Sequence, residues 1–214
     1  MVSKKDYRCH AHTNSFRDIG LEIPEDPNSI NWAKYFENGV QPTFIDIGCG
    51  YGKFLLNVGS KYPEENVLGL EIRDKVVEYV EKITENIPNC SVIKSNALLF
   101  LLNYFQPGTL KKIFVLFPDP HFKKRKQKGR IICRQMMQIF KYLLTQGGQL
   151  YISTDVTDLF KDMTEVIENS GCFEEEKKLD EDPLYELCYK GTDEAGRAGV
   201  KSGHTFGKIY RVLK

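Results

Sequence analysis

The chain has 214 residues, 41% hydrophobic and 28% charged, with a formal net charge of +1 at pH 7; that supports one well-buried core, is marginal for two, and leaves only local charge clustering to carry any nucleic-acid function. Six cysteines (Cys9, Cys49, Cys90, Cys133, Cys172, Cys188) form no CxxC pair and no Cys/His set at zinc spacing, which excludes a disulfide framework and a zinc ribbon, and no metal is expected. No signal-like apolar segment opens the sequence and no apolar run approaches the roughly 20 residues of a membrane span, so a soluble, intracellular protein is expected.

Residues 1–40 form a polar, irregular arm with Pro24 and Pro27 that closes in a short helix at INWAKYF. His10 and His12 in this arm lack partners at ligand spacing and are assigned to the surface or to RNA. A single domain, 41–214, follows. Its pattern runs TFIDIG, a helical KFLLNVGSKY, NVLGLEI, a helical DKVVEYVEKITEN, SVIKSNA, ALLFLLNYF and KKIFVLF. Short apolar strands alternating with helical crossovers predict an α/β doubly wound fold with a mostly parallel sheet. Next comes IICRQMMQIFKYLLTQ, whose Ile132, Met136, Ile139 and Leu143 make one helical face, then a turn at Gly147-Gly148 and a strand, QLYIST. The acidic FEEEKKLDEDP is expected to be a solvated connection, ahead of a glycine-rich segment and an antiparallel last strand, TFGKIYRVL.

Between the first strand and first helix, FIDIGCGYGKFL places Gly48, Gly50 and Gly52 where backbone N–H groups can face a ligand. A dinucleotide fingerprint would need glycine at position 53, and Lys53 stands there, which disfavours NAD. Glu71 ends the second strand about 20 residues later, the interval at which doubly wound folds place a carboxylate for a ribose diol. Asn96-Ala97 ends the third strand and suits either an adenine edge or a helix N-cap. A Gly turn, a strand-end Glu and a third-strand Asn describe a site for a single nucleoside, which suits S-adenosylmethionine.

After the fourth strand stands LFPDPHFKKRKQKGR. Pro118 and Pro120 fix φ and donate no hydrogen bond, so they stop the strand and hold Asp119 in a stiff turn. Six cations follow at once: Lys123, Lys124, Arg125, Lys126, Lys128 and Arg130. Such a run is either an RNA contact or a solvated loop or nuclear-import peptide; its adjacency to Asp119 favours RNA.

DIGCGYG, LGLEIR, SNA, LFPDPHFKKRKQKGRII, STD at 153–155 and TDE at 192–194 together resemble the tRNA (guanine-N7)-methyltransferases, and the arm's YRCHAHTN and INWAKYF are similar to their eukaryotic branch. The resemblance implies a Rossmann-like S-adenosylmethionine-dependent methyltransferase fold. It implies that Gly48, Gly50, Glu71, Ile72, Asn96, Ala97 and Leu116 contact the cofactor and that Thr192, Asp193 and Glu194 close over its methionine end. It makes Asp119 the active-site acid and places Asp155 near the substrate, while the adjacency of the cationic run to Asp119 gives Lys123, Lys124, Arg125 and Lys126 to tRNA. A non-catalytic WD-repeat β-propeller subunit, forming a heterodimer, a variable-loop target guanine and a nuclear location are implied as well. Gly129 departs from the family pattern, which has a large residue there, and a more mobile hinge is expected.

Guanine N7 has an in-plane lone pair and no hydrogen, so it can attack a sulfonium methyl without losing a proton. Positive charge then grows on the purine, which a fixed carboxylate at Asp119 would stabilise. Exocyclic-amine methyltransferases carry an Asn/Asp-Pro-Pro-aromatic turn at this strand end, whereas PDPH stands here, favouring a ring nitrogen. A small-molecule methyltransferase and a non-catalytic RNA-binding subunit are the rival assignments.

Overall fold

Four stretches that are buried on both faces, Phe44–Ile47 (β1), Val67–Glu71 (β2), Cys90–Lys94 (β3) and Leu110–Leu116 (β4), pair in parallel in a computed structural model that describes residues 2–8, 20–196 and 204–214, without the side chains of Lys124 and Lys126. His10, His12 and residues 197–203 of the glycine-rich segment therefore lie outside the described residues. Leu144–Thr154 (β5) pairs in parallel with β4, and Phe206–Val212 (β7) runs antiparallel beside β5. With Phe173–Glu175 (β6) antiparallel to β7 at the edge, the sheet order is β3-β2-β1-β4-β5-β7-β6.

β6, Phe173–Glu175, corrects the expectation that FEEEKKLDEDP is wholly a solvated connection. Phe173 is buried while Glu174 and Glu175 are exposed, so one inward side chain anchors a short, charged edge strand of the kind that resists edge-to-edge association. β5 also starts earlier than QLYIST, because Leu144 pairs with Leu110 across a register irregularity ahead of the regular ladder from Gln149.

Alternation along the central strands divides the core in two. Ile45, Ile113, Val115, Leu150 and Ile152 face one side, where they meet Ala97–Phe100 (α3), Arg134–Leu143 (α5) and Thr157–Glu168 (α6). Phe44, Phe114, Leu116 and Tyr151 face the other, against Lys53–Lys61 (α1), Asp74–Thr84 (α2) and Tyr185–Lys190 (α7). A one-turn helix, Lys124–Gln127 (α4), lies in the cationic loop. The helix predicted from Ile131 starts only at Arg134, since Cys133 is extended, and ends before Leu144 turns into the strand.

The arm reaches the core. Trp32 opens a short 3-10 helix, Trp32–Lys34, and its indole stacks on Phe105 with centroids 6.2 Å apart and planes at 18°. Phe36 is buried in the same cluster. Near the N-terminus, Tyr7 packs against Tyr79 of α2.

Candidate active site

In an open parallel sheet, ligands bind outside the carboxyl ends of the strands, where the strand order reverses. Here that point lies between β1 and β4. A cavity of about 390 Å³ opens there, lined by the turn after β1 and the ends of β2, β3 and β4. Its size falls in the range of about 300–1,000 Å³ typical of small-molecule sites.

The β1 turn holds Gly48, Gly50 and Gly52 at φ +78°, +53° and +75°, a conformation that side-chain-bearing residues resist. At Gly52, the N-cap of α1, a Cβ would also sit 3.2 Å from Val80 of α2, so the missing side chain lets the two helices close against one another. The Gly50 N–H donates to Glu71 Oε2 at 3.2 Å. Glu71 is buried at the end of β2 and its Oε1 accepts from the N–H groups of Ile72 (2.8 Å) and Arg73 (3.0 Å). Arg73 adds its guanidinium, Nε to Oε1 at 3.0 Å and Nη2 to Oε2 at 2.9 Å. This fixed carboxylate is therefore bonded directly to the glycine turn, and the two form one wall of the cavity.

Asn96 and Ala97, both buried, line the wall at the end of β3, with Asn96 as the extended residue before α3. On the far side β4 ends at Leu116, and Phe117 and His121 take φ of +50° and +45° on either side of Pro118-Asp119-Pro120. Two bulky residues in left-handed conformations cost of order 1–3 kcal/mol each, and such strain collects at functional sites. Leu116, Phe117, Pro118, Asp119 and His121 all border the cavity, as do Gly129 and Ile131 returning from the cationic loop.

A small recess of about 20 Å³ adjoins the main cavity and is lined by Asp46, Cys49, Lys53, Thr192, Asp193 and Glu194; Glu194 borders both spaces. The segment is carried there by α7 and tied down by Asn57 of α1, whose Nδ2 donates to Gly191 O at 3.2 Å. Lys4 from the arm reaches Asp193, Nζ to Oδ2 at 2.6 Å, and Tyr51 Oη donates to Tyr7 O at 3.2 Å. Asp46 is fully buried near Glu71 and Glu194; burial above all, then these two carboxylates, raises its pKa to about 8.

Nine residues predicted from the sequence thus share the main cavity: Gly48, Gly50, Glu71, Ile72, Asn96, Ala97, Leu116, Asp119 and Glu194. Thr192 and Asp193 lie in the recess instead. Asp155, at the end of β5, does not line either space, although β5 is bound to the site through Phe117 N–H donating to Ser153 O at 2.7 Å. Lys123 and Arg125 are exposed beyond Asp119, with Phe122 72% exposed among them. Asp46, Tyr51, Arg73 and His121 are additions that the structure makes to the site. The first three sit inside the motifs DIGCGYG and LGLEIR, and only the fold shows which of those side chains turn inward. Among the described residues no group of three or more His, Cys, Asp or Glu could hold a metal ion, and no helix is long and apolar enough to cross a membrane.

A doubly wound sheet with an antiparallel strand beside β5, a glycine turn and a strand-end glutamate define a Rossmann-like S-adenosylmethionine-dependent methyltransferase. A family model described as "Putative methyltransferase" matches residues 40–207. A solved structure of a SAM-dependent methyltransferase from Aquifex aeolicus shares the fold, with a TM-score of 0.55 at 14% identity, covering 80% of this chain and 82% of that one. Two curated proteins, each named tRNA (guanine-N(7)-)-methyltransferase, are similar over 100% of this chain and 89% of their own length: one from Caenorhabditis elegans at 39% identity and one from Drosophila ananassae at 37%. The chain belongs to the tRNA (guanine-N7)-methyltransferase family.

Proposed function

We propose that this chain transfers a methyl group to N7 of a guanine in the variable loop of tRNA, with the nucleoside of the methyl donor held by the glycine turn and Glu71 and the target base presented to Asp119. The observation that carries this is a cavity with Glu71 and the Gly50 N–H at one wall and the Pro118-Asp119-Pro120 turn at the other. S-adenosylmethionine supplies the methyl as an electrophilic sulfonium. The chain's own task is position and field. Glu71 would take the ribose hydroxyls in place of the Arg73 fork, which is the side-chain share of its present donors. Asp119 would orient the base through its N–H edge and stabilise the charge that grows on the purine as N7 attacks, with no general base required.

In A-form RNA the N7 edge faces a groove too narrow for side chains, so the base must come from a loop or be extruded. Lys123 and Arg125 supply a grip on phosphate, and Phe122, exposed between cavity and cations, offers a face on which an unpaired base can stack. A net charge of +1 and one short cationic loop are a small platform against the roughly 1,000–2,500 Å² of protein surface that specific nucleic-acid interfaces bury. A non-catalytic WD-repeat propeller subunit would extend it, and a nuclear location accords with the same cationic run. The test is nucleoside analysis of tRNA incubated with the protein and labelled donor. Label in 7-methylguanosine supports the proposal; label in another methylated nucleoside, or none under single turnover, rejects it.

A further inference from the structure

Arg130 closes the cationic run in sequence, yet it does not share the exposure of Lys123, Arg125 and Lys128. Its side chain is only 13% exposed, and its guanidinium turns inward. Nε and Nη2 donate to the same oxygen, Pro120 O, at 2.9 and 2.7 Å, and Nη1 donates to Asp162 Oδ2 of α6 at 2.5 Å. The Arg130 N–H donates to Gln127 O at 3.0 Å, which closes the return of the loop. One guanidinium thus joins the two ends of the loop 121–129 and moors both to α6.

We infer that Arg130 is a positioning residue for methyl transfer, holding the Asp119 turn through the Pro120 carbonyl. The inference rests on the proposed role of Asp119. The turn needs an external tie for two reasons. Proline at 118 and 120 removes two backbone donors that could otherwise fasten it to the sheet. The left-handed residues Phe117 and His121 store strain that relaxes unless surrounding contacts over-determine the conformation. A planar fork delivering two bonds to one carbonyl and a third to a carboxylate restricts both translation and rotation, which a single ammonium cannot do. Because the tie spans the loop, a phosphate held by Lys123 or Arg125 is placed at a fixed distance from Asp119.

Arg130→Ala, Arg130→Lys and Asp162→Asn, made in the full chain, separate this from the alternatives. Misplacing a reacting group by about 1 Å costs up to roughly 100-fold. The expected result is a single-turnover rate at saturating tRNA and S-adenosylmethionine that falls about 10- to 100-fold in Arg130→Ala, while cofactor affinity stays within about threefold and the salt dependence of tRNA binding keeps its slope. Arg130→Lys should recover little of the rate, and Asp162→Asn should lose part of it. An unchanged rate at saturation with weaker tRNA binding and a log-log salt slope lower by about 0.7–0.9 would make Arg130 an ordinary phosphate ligand and overturn the inference. Full rescue by lysine would overturn it too, by reducing the role to charge. Where Arg130→Ala melts without cooperativity, Asp162→Asn decides: a folded variant with the wild-type rate rejects the inference, and a folded variant with a lowered rate upholds it. Failure of the wild-type chain to methylate guanine N7 would instead strike the proposed function itself.

Discussion

Asp119 and Glu71 are carboxylates at opposite walls of one cavity, and their surroundings give them separable tasks. Replacing Asp119 by Ala should abolish methyl transfer, by at least about 100-fold, and leave cofactor affinity within about threefold, since the nucleoside wall is untouched. Parallel calorimetry and single-turnover kinetics check both halves. Glu71→Ala should do the reverse, weakening S-adenosylmethionine binding by about 10- to 100-fold while tRNA affinity holds, because it removes charge-assisted bonds to the ribose. Asp46 adds a pH dependence. Its folded pKa of about 8 stands above the ordinary carboxylate value, so the folded state holds a proton that the unfolded chain has lost above about pH 4. Stability from this group is therefore greatest at low pH, falls as pH rises between about 4 and 8 by up to about 1.4 kcal/mol per unit, and levels off above 8. Asp46→Asn removes that slope. Thermal melts of the cofactor-free proteins should show the variant gaining on wild type from pH 5.5 to pH 8, and a constant difference would mean that Asp46 is ionised in the folded state.

The loop between β4 and α5 is the element that joins chemistry to substrate. Replacing Lys123 and Arg125 by Ala should weaken tRNA binding and lower its log-log salt slope by about 0.7–0.9 for each phosphate that the variant no longer neutralises, with cofactor affinity unchanged. If binding and slope both persist while nuclear import fails, the run is a targeting peptide. This element also marks where sequence is legible. A strand stopped by Pro118, an acid between prolines and cations beyond it are local chemistry, and β1 through β4 announce themselves as apolar runs punctuated by glycine. Arg130 has the same letter as Arg125 but the opposite use, because Asp162, 32 residues on, arrives beside it only once α6 has packed. β6 is hidden for a related reason: one buried Phe173 followed by exposed glutamates carries the charge pattern of a loop, and only pairing with β7 makes it a strand. Arg73 and Tyr51 lie next to residues whose roles the motifs suggest, but which neighbours face the cavity depends on backbone direction at the turn.

Among the described residues, the arm packs on the domain where Trp32 and Phe36 enter the core, where Asn103 Nδ2 donates to Pro24 O and Gln106 Nε2 to Asn28 Oδ1, and where Lys4 and Tyr7 touch the walls of the site. Trp32→Ala should cost about 3 kcal/mol or more, read as a lower urea midpoint with little change in slope, as expected for a large aromatic removed from a packed interior. On the proposed reading, in which a net charge of +1 calls for a partner to extend the RNA platform, the isolated protein should bind S-adenosylmethionine normally yet methylate tRNA slowly, and a propeller subunit should raise the rate without adding a catalytic group. Turnover that the propeller leaves unchanged would point to a self-sufficient enzyme. Single-turnover transfer from labelled S-adenosylmethionine to tRNA with enzyme in excess, followed by nucleoside analysis, decides whether the β1/β4 cavity brings guanine N7 and the methyl donor together at Asp119. Label is expected in 7-methylguanosine alone, and none with Asp119→Ala; label in an exocyclic-amine or other ring product, or an undiminished yield from Asp119→Ala, would show that the methyl is not delivered to guanine N7 at Asp119.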